Sequence, residues 1–209
     1  FTMGAPSGDL FAQSPTPTPE ALAALNWESV DVLARVNLLG DKQVQALVID
    51  PRAPTILYAG TAAHGLYKTT DGGNTWMDTH LPVTNTVTLA IDPKTPETVY
   101  VGVGKPGLFK STDGGQSWEQ ANAGIGEAAI WSLTVDPQQP QTLYAGVWGR
   151  GLWRSTDGAQ SWTQISKALS NTNNLTGTHV MAIAVDPTDS DHLLATTMDD
   201  IEKQAGRRF

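Results

Sequence analysis

Short apolar runs recur along the chain, and clusters of Gly, Pro, Asp and Asn separate them. Val44-Gln45-Ala46-Leu47-Val48-Ile49 is apolar enough for burial on both faces, which predicts an innermost strand. Asp50-Pro51-Arg52-Ala53-Pro54 then supplies turn chemistry, because Asp caps its own turn and Pro fixes φ. Residues 55–61 read as a second strand, and the alternating segment 65–69 as a third. Asp71-Gly72-Gly73-Asn74 turns the chain into a fourth strand led by Trp76, and the next set of strands begins near Val87. Helical periodicity is weak except over 20–25.

The same sentence of strands is written three times. Thr69-Thr70-Asp71-Gly72-Gly73-Asn74-Thr75-Trp76 returns as Ser111-Thr112-Asp113-Gly114-Gly115-Gln116-Ser117-Trp118 and as Ser155-Thr156-Asp157-Gly158-Ala159-Gln160-Ser161-Trp162. Asp71 to Asp113 is 42 residues and Asp113 to Asp157 is 44. A second marker keeps step: Asp50-Pro51, Asp92-Pro93, Asp136-Pro137 and Asp186-Pro187 lie 42, 44 and 50 residues apart. Between them stand Tyr58-Ala59-Gly60, Tyr100-Val101-Gly102 and Tyr144-Ala145-Gly146. Four strand signals per unit of roughly 40–50 residues predict an all-β protein, a β-propeller of four-stranded antiparallel blades.

The motif resembles the Asp-box, or BNR, repeat, Ser/Thr-x-Asp-x-Gly-x-Thr/Ser-Trp. The first two copies match throughout; the third departs at Ala159, which predicts an altered or strained turn, since the family's glycine usually takes a positive φ. The resemblance spans about 44–195. It implies a structural role for Asp71, Asp113 and Asp157, whose carboxylates accept backbone N–H bonds of their own hairpins, and for Trp76, Trp118 and Trp162, whose rings pack between sheets. It also implies that the boxes lie on the rim away from the ligand face.

Residues 26–32 read like the tail of such a box, with Trp27 at its head, and residues 180–185 and 192–196 like the two inner strands of another blade. The segment 199–209 holds no further box. The expected organisation is therefore a Pro/Thr-containing spacer over 1–25 and a propeller over 26–209. Its blades fall at about 44–80, 87–120 and 130–165, with a partial blade over 180–209 that the strand 26–32 either completes or leaves open. An incomplete ring, closed by self-association or by a partner, is the reading preferred over a closed four-bladed one.

Composition narrows the function. The net charge of −8 argues against sequence-independent nucleic-acid binding, which needs a basic stripe. No apolar run is long enough for a transmembrane helix. The chain has no Cys, so disulfides and thiolate metal sites are excluded, and no cofactor-binding pattern appears. Ser14-Pro15-Thr16-Pro17-Thr18-Pro19 is an extended spacer of the kind that follows an export signal or anchor, which makes an extracytoplasmic location the expectation.

In propellers, ligands meet the loops joining second to third strands and those joining successive blades. The first set carries His64, Lys105, Trp148 and Arg150; the second carries Glu127, with Trp131 close behind it. The tryptophans suit an apolar platform, and Arg150 the role of a fork for a carboxylate. The resemblance extends to xyloglucanase-type and sialidase-type enzymes, to sortilin-type receptors and to photosystem II assembly factors. A glycosidase needs two facing carboxylates, and off the boxes and Asp-Pro turns Glu127 is the main acid on that face. The expected function is thus an extracytoplasmic module that binds a protein or peptide, including one in a membrane-associated complex, or assists assembly. A glycoside hydrolase fragment acting on a β-glucan, with a carbohydrate ligand, is the alternative; a structural subunit of a larger complex is the third reading.

Overall fold

The computed structural model describes residues 42–166 and 179–198. The chain divides into residues 1–32 and 33–209, and every described residue lies in the second unit. The expected helical turn at 20–25, the strand at 26–32 and the segment 199–209 lie outside the described residues.

Three four-stranded antiparallel sheets follow one another. The first contains β1 (Val44–Ile49), β2 (Leu57–Thr61), β3 (Leu66–Thr69) and β4 (Met77–Asp78), hydrogen-bonded in that order. The second contains β5 (Thr86–Ile91), β6 (Val99–Val103), β7 (Leu108–Ser111) and β8 (Glu119–Gln120). The third contains β9 (Ile130–Val135), β10 (Leu143–Val147), β11 (Gly151–Ser155) and β12 (Thr163–Gln164). A two-stranded sheet, β13 (His179–Asp186) with β14 (Asp189–Met198), begins a fourth unit. First strands of successive sheets pack together, β1 on β5, β5 on β9 and β9 on β13.

The strand β1 corrects one expectation. Its residues alternate between half-buried and exposed, with Leu47 41% and Ile49 50% exposed, so it is not buried on both faces. Its counterpart β9 carries Ile130, Leu133 and Val135 buried. The difference is position: among the described sheets β9 has one on each side, β5 and β13, whereas β1 packs on β5 alone.

The recurrent Tyr-x-Gly glycines mark where blades touch. A Cβ on Gly60 would lie 2.3 Å from Thr86 Cγ2, and one on Gly102 2.9 Å from Ile130 Cγ2. One on Gly146 would lie 2.4 Å from the Val180 carbonyl oxygen. The first strand of the next blade rests directly on each glycine.

The two repeated turns behave as capped loops. Asp50, Asp92 and Asp136 are buried, and Oδ1 of each accepts two backbone N–H bonds of its own turn, for example from Arg52 at 2.8 Å and Ala53 at 3.2 Å. In the first Asp-box, Thr69 Oγ1 donates to Asp71 Oδ1 at 2.7 Å and accepts from Gly73 N at 2.9 Å. Thr75 closes the turn through N to Oδ1 at 2.9 Å and Oγ1 to Oδ2 at 2.6 Å. The second and third boxes repeat this net around Asp113 and Asp157. The third does so with Ala159 at φ 69°, so its turn is unaltered. That left-handed backbone costs an alanine about 1–2 kcal/mol, partly offset because its methyl joins the core.

These hydrogen bonds, first those from the Thr75 and Ser161 hydroxyls, lower the Asp71 and Asp157 carboxyls to about 2; those led by the Ser117 hydroxyl hold Asp113 well below the usual carboxylate range. A carboxyl whose folded pKa is depressed stabilises the fold above its ordinary value near 4, and that contribution is lost as pH falls towards the folded value. The melting temperature should therefore hold from neutral pH to about 4 and drop between about 4 and 2. Asp71→Asn should shrink that drop; an unchanged acid limb in thermal melts followed by circular dichroism would contradict the box geometry.

The box tryptophans are not equivalent. Trp162 is 4% exposed, whereas Trp76 and Trp118, also expected to pack between sheets, are half-buried. The loop joining β8 to β9 makes the difference at Trp162. Gly124 packs so tightly that a Cβ there would meet the Trp162 carbonyl oxygen at 2.3 Å, and Ile125 is buried in the same cluster.

Candidate functional site

First strands start where second strands end, so one end of the blades gathers the loops after β2, β6 and β10 with those joining successive blades. The Asp-boxes and Asp-Pro turns occupy the other end. At the loop end every first strand carries a β-bulge: the pairing slips between Val44 and Ala46, Thr86 and Thr88, Ile130 and Ser132, and Val180 and Ala182. The extra residues are Gln45, Val87, Trp131 and Met181. A bulge re-aims a side chain that strict alternation would send to a sheet face. The residue before each extra one packs inward, as Thr86, Ile130 and Val180 do on the blade-contact glycines.

Three of the re-aimed residues meet in a groove of about 490 Å³. Blade one gives Gln45; blade two gives Val87 with Asn85 and Gly104; blade three gives Trp131 with Ala129 and Trp148. Trp131 and Trp148 lie 4.7 Å apart between ring centroids, tilted by 32°. Behind Trp148 stands His179, its ring centroid 3.5 Å away and its side chain buried. The two tryptophans nevertheless stay 38% and 41% exposed. Buried support below and open rings above make a fixed apolar platform, and Gln45 and Asn85 place amide donors and acceptors beside it.

Of the candidate residues, the structure brings Trp131 and Trp148 together in this groove. His64, Lys105, Arg150 and Glu127 do not line this groove. His64 is exposed, and its backbone N–H donates to Thr61 Oγ1 at 3.0 Å. Lys105 and Glu127 are exposed on neighbouring loops. Arg150 is exposed, and its Nη1 donates to the Ile125 carbonyl at 2.8 Å, tying the β10–β11 turn to the loop over Trp162. Gln45 and Val87, which line the groove, were not among the candidates. Strand alternation hides a bulge, and the only trace of one is that Gln45 and Trp131 each sit second in an apolar run.

The groove's lining side chains include no carboxylate, imidazole or cation. Among the described residues, no group of three His, Asp or Glu gathers as a metal site. No described helix is long and apolar enough to cross a membrane.

Comparison with known proteins agrees with this geometry. Residues 107–208 match the family described as Sortilin, neurotensin receptor 3 (Sortilin-Vps10). No curated protein matches the sequence. An ancestral GH74 enzyme superposes with a TM-score of 0.64 at 21% identity, covering 74% of this chain and 22% of that one. The GH74 enzyme of Niastella koreensis gives 0.59 at 26% identity, covering 74% and 26%. An auxiliary nutrient binding protein from Bacteroides thetaiotaomicron gives 0.57 at 13% identity, covering 75% and 36%. These are Asp-box β-propeller blades. The chain spans about a quarter of the length of the GH74 enzymes it resembles.

Proposed function

We propose that this propeller segment is an extracytoplasmic binding module, which holds an uncharged stretch of a protein or peptide partner in the loop-end groove. The observation that carries the reading is the Trp131–Trp148 platform flanked by the Gln45 and Asn85 amides. Aromatic rings take an apolar or proline side chain, and the amides pair with a peptide backbone. A groove lined by three blades and free of lining charges offers no acid–base pair for glycoside hydrolysis. The extracytoplasmic setting rests on the spacer at 14–19.

A carbohydrate ligand is the second reading. The same platform favours it, since a sugar ring stacks on tryptophan, and the GH74 resemblance points the same way. The two readings separate in one fluorescence titration, with a library of unmodified short peptides against xyloglucan oligosaccharides. Peptide binding should quench the exposed tryptophans. Trp148→Ala should weaken binding by about 2 kcal/mol or more, roughly 30-fold, while leaving the fold intact, because a large exposed aromatic is the expected hot spot. Saturable binding of the oligosaccharides alone would install the carbohydrate reading. Their hydrolysis would remove the binding-module reading altogether.

A further inference from the structure

The tryptophan groove has a polarity of its own. In Trp118, Trp153 and Trp162 the indole N–H donates to a backbone carbonyl, at 3.3, 3.2 and 2.9 Å. The indole N–H groups of Trp131 and Trp148 donate to none among the described residues. The side-chain amides of Gln45 and Asn85, both exposed, bond none of them either. Structural tryptophans in this molecule thus spend their donor inside the fold, and the two groove tryptophans do not.

Four unspent donor groups therefore line one groove. Each amide adds an acceptor oxygen to its donor, whereas an indole donates only. Val87, Gly104 and Ala129 bring no polar side chain, and no carboxylate lines the groove. Its side chains offer four donor groups against two acceptor oxygens, with no formal charge. A complementary ligand is uncharged and richer in acceptors than in donors.

That count separates the classes of ligand. A sugar hydroxyl donates as well as accepts, and an extended strand brings one N–H for each carbonyl. A proline has a carbonyl and no N–H, and a polyproline II helix uses none of its carbonyls internally. We propose that the groove is a receptor for a proline-rich segment of a partner protein in the polyproline II conformation, an inference that rests on the peptide reading given above. The Trp131 and Trp148 rings lie 4.7 Å apart, less than one turn of such a helix, about 9 Å. They therefore receive one proline ring rather than two. The amides and indole N–H groups take the carbonyls on either side of it. Such a ligand is already extended and a proline ring has little rotamer freedom to lose, so ordering it costs little.

The test is isothermal titration of the full chain with three probes: a blocked nonapeptide of proline, a blocked nonapeptide of alternating serine and alanine, and xyloglucan oligosaccharides. The proline peptide should bind saturably, and the serine–alanine peptide at least about tenfold more weakly. Trp148→Phe keeps an aromatic face but removes one donor, and should weaken the proline peptide about three- to tenfold. Asn85→Asp replaces a donor by an acceptor, and should weaken it at least about tenfold. Both side chains are exposed, so circular dichroism of the variants should match the parent. If the serine–alanine peptide binds as well as the proline peptide, this inference is overturned and the peptide reading of the groove stands. Equal binding of the proline peptide by the parent and both variants also overturns it, because the donors would then play no part. If neither peptide binds at millimolar concentration and the oligosaccharides do, both readings fall together. Failure of all three probes to bind overturns both as well.

Discussion

Trp162→Ala should lower the stability of the chain by about 3–5 kcal/mol, or roughly 6–20 °C in melting temperature for a protein of this size. The ring sits in the largest buried cluster with Tyr100, Ile125 and Ala159, and truncation leaves a cavity that these side chains cannot all collapse into. It also removes the indole N–H that satisfies the Ala121 carbonyl across the blade boundary. The half-buried Trp76 and Trp118 have less surface to lose, so their alanine variants should cost less than Trp162→Ala. Urea unfolding of the three variants checks the order. Equal losses would mean that the loop carrying Gly124 and Ile125 does not seal the third box.

The three boxes, the Asp-Pro turns and the order of strands were all legible in the sequence. Each is a local device, an aspartate bonding its own turn, and local devices repeat when blades repeat. The wider consequences were not legible. The Tyr-x-Gly marker reads as a strand end, yet its glycine is kept bare by a strand of the next blade some 26–34 residues later, as between Gly60 and Thr86 and between Gly146 and Val180. Tyr58 and Lys68, a cross-strand pair of β2 and β3, read as ordinary alternation, yet both donate to the Gly114 carbonyl of the next box. Burial pushes the Tyr58 and Tyr100 phenols up to about 12, with nearby carboxylates adding to the rise, a shift that belongs to the packed blades alone.

The candidate site was half legible for a related reason. Trp131 and Trp148 declare themselves by size, but what joins them to Gln45 and Val87 is a bulge repeated in every first strand. A bulge has no residue signature unless it uses glycine. The bond from Arg150 to the Ile125 carbonyl was not legible, because Ile125 is brought to it by a loop from the preceding blade boundary.

Gly146→Ala should detach β13 and β14 from blade three. The new Cβ would lie 2.4 Å from the Val180 carbonyl oxygen and 2.9 Å from Val180 Cβ, and a backbone oxygen has no rotamer by which to withdraw. It would also displace Ser132 Oγ, which lies 2.2 Å from the Cβ position and donates to that same Val180 oxygen at 3.0 Å. Overpacking of this kind costs about 1–3 kcal/mol and more where backbone must move. The strain should fall unevenly. The contacts of β13 with blade three run through β9, β10 and β11, whereas β1 to β8 do not depend on them. Hydrogen exchange should therefore accelerate in β13 and β14 by an order of magnitude or more, as expected for local opening eased by about 1.4 kcal/mol, and stay near the parent's rate in β5 to β8. Gly102→Ala, which presses on Ile130 and Thr88 between two whole blades, should instead speed exchange in both of those sheets. If Gly146→Ala leaves exchange in β13 unchanged, the close approach of these strands, and with it the assignment of β13 as the first strand of a fourth blade, is wrong.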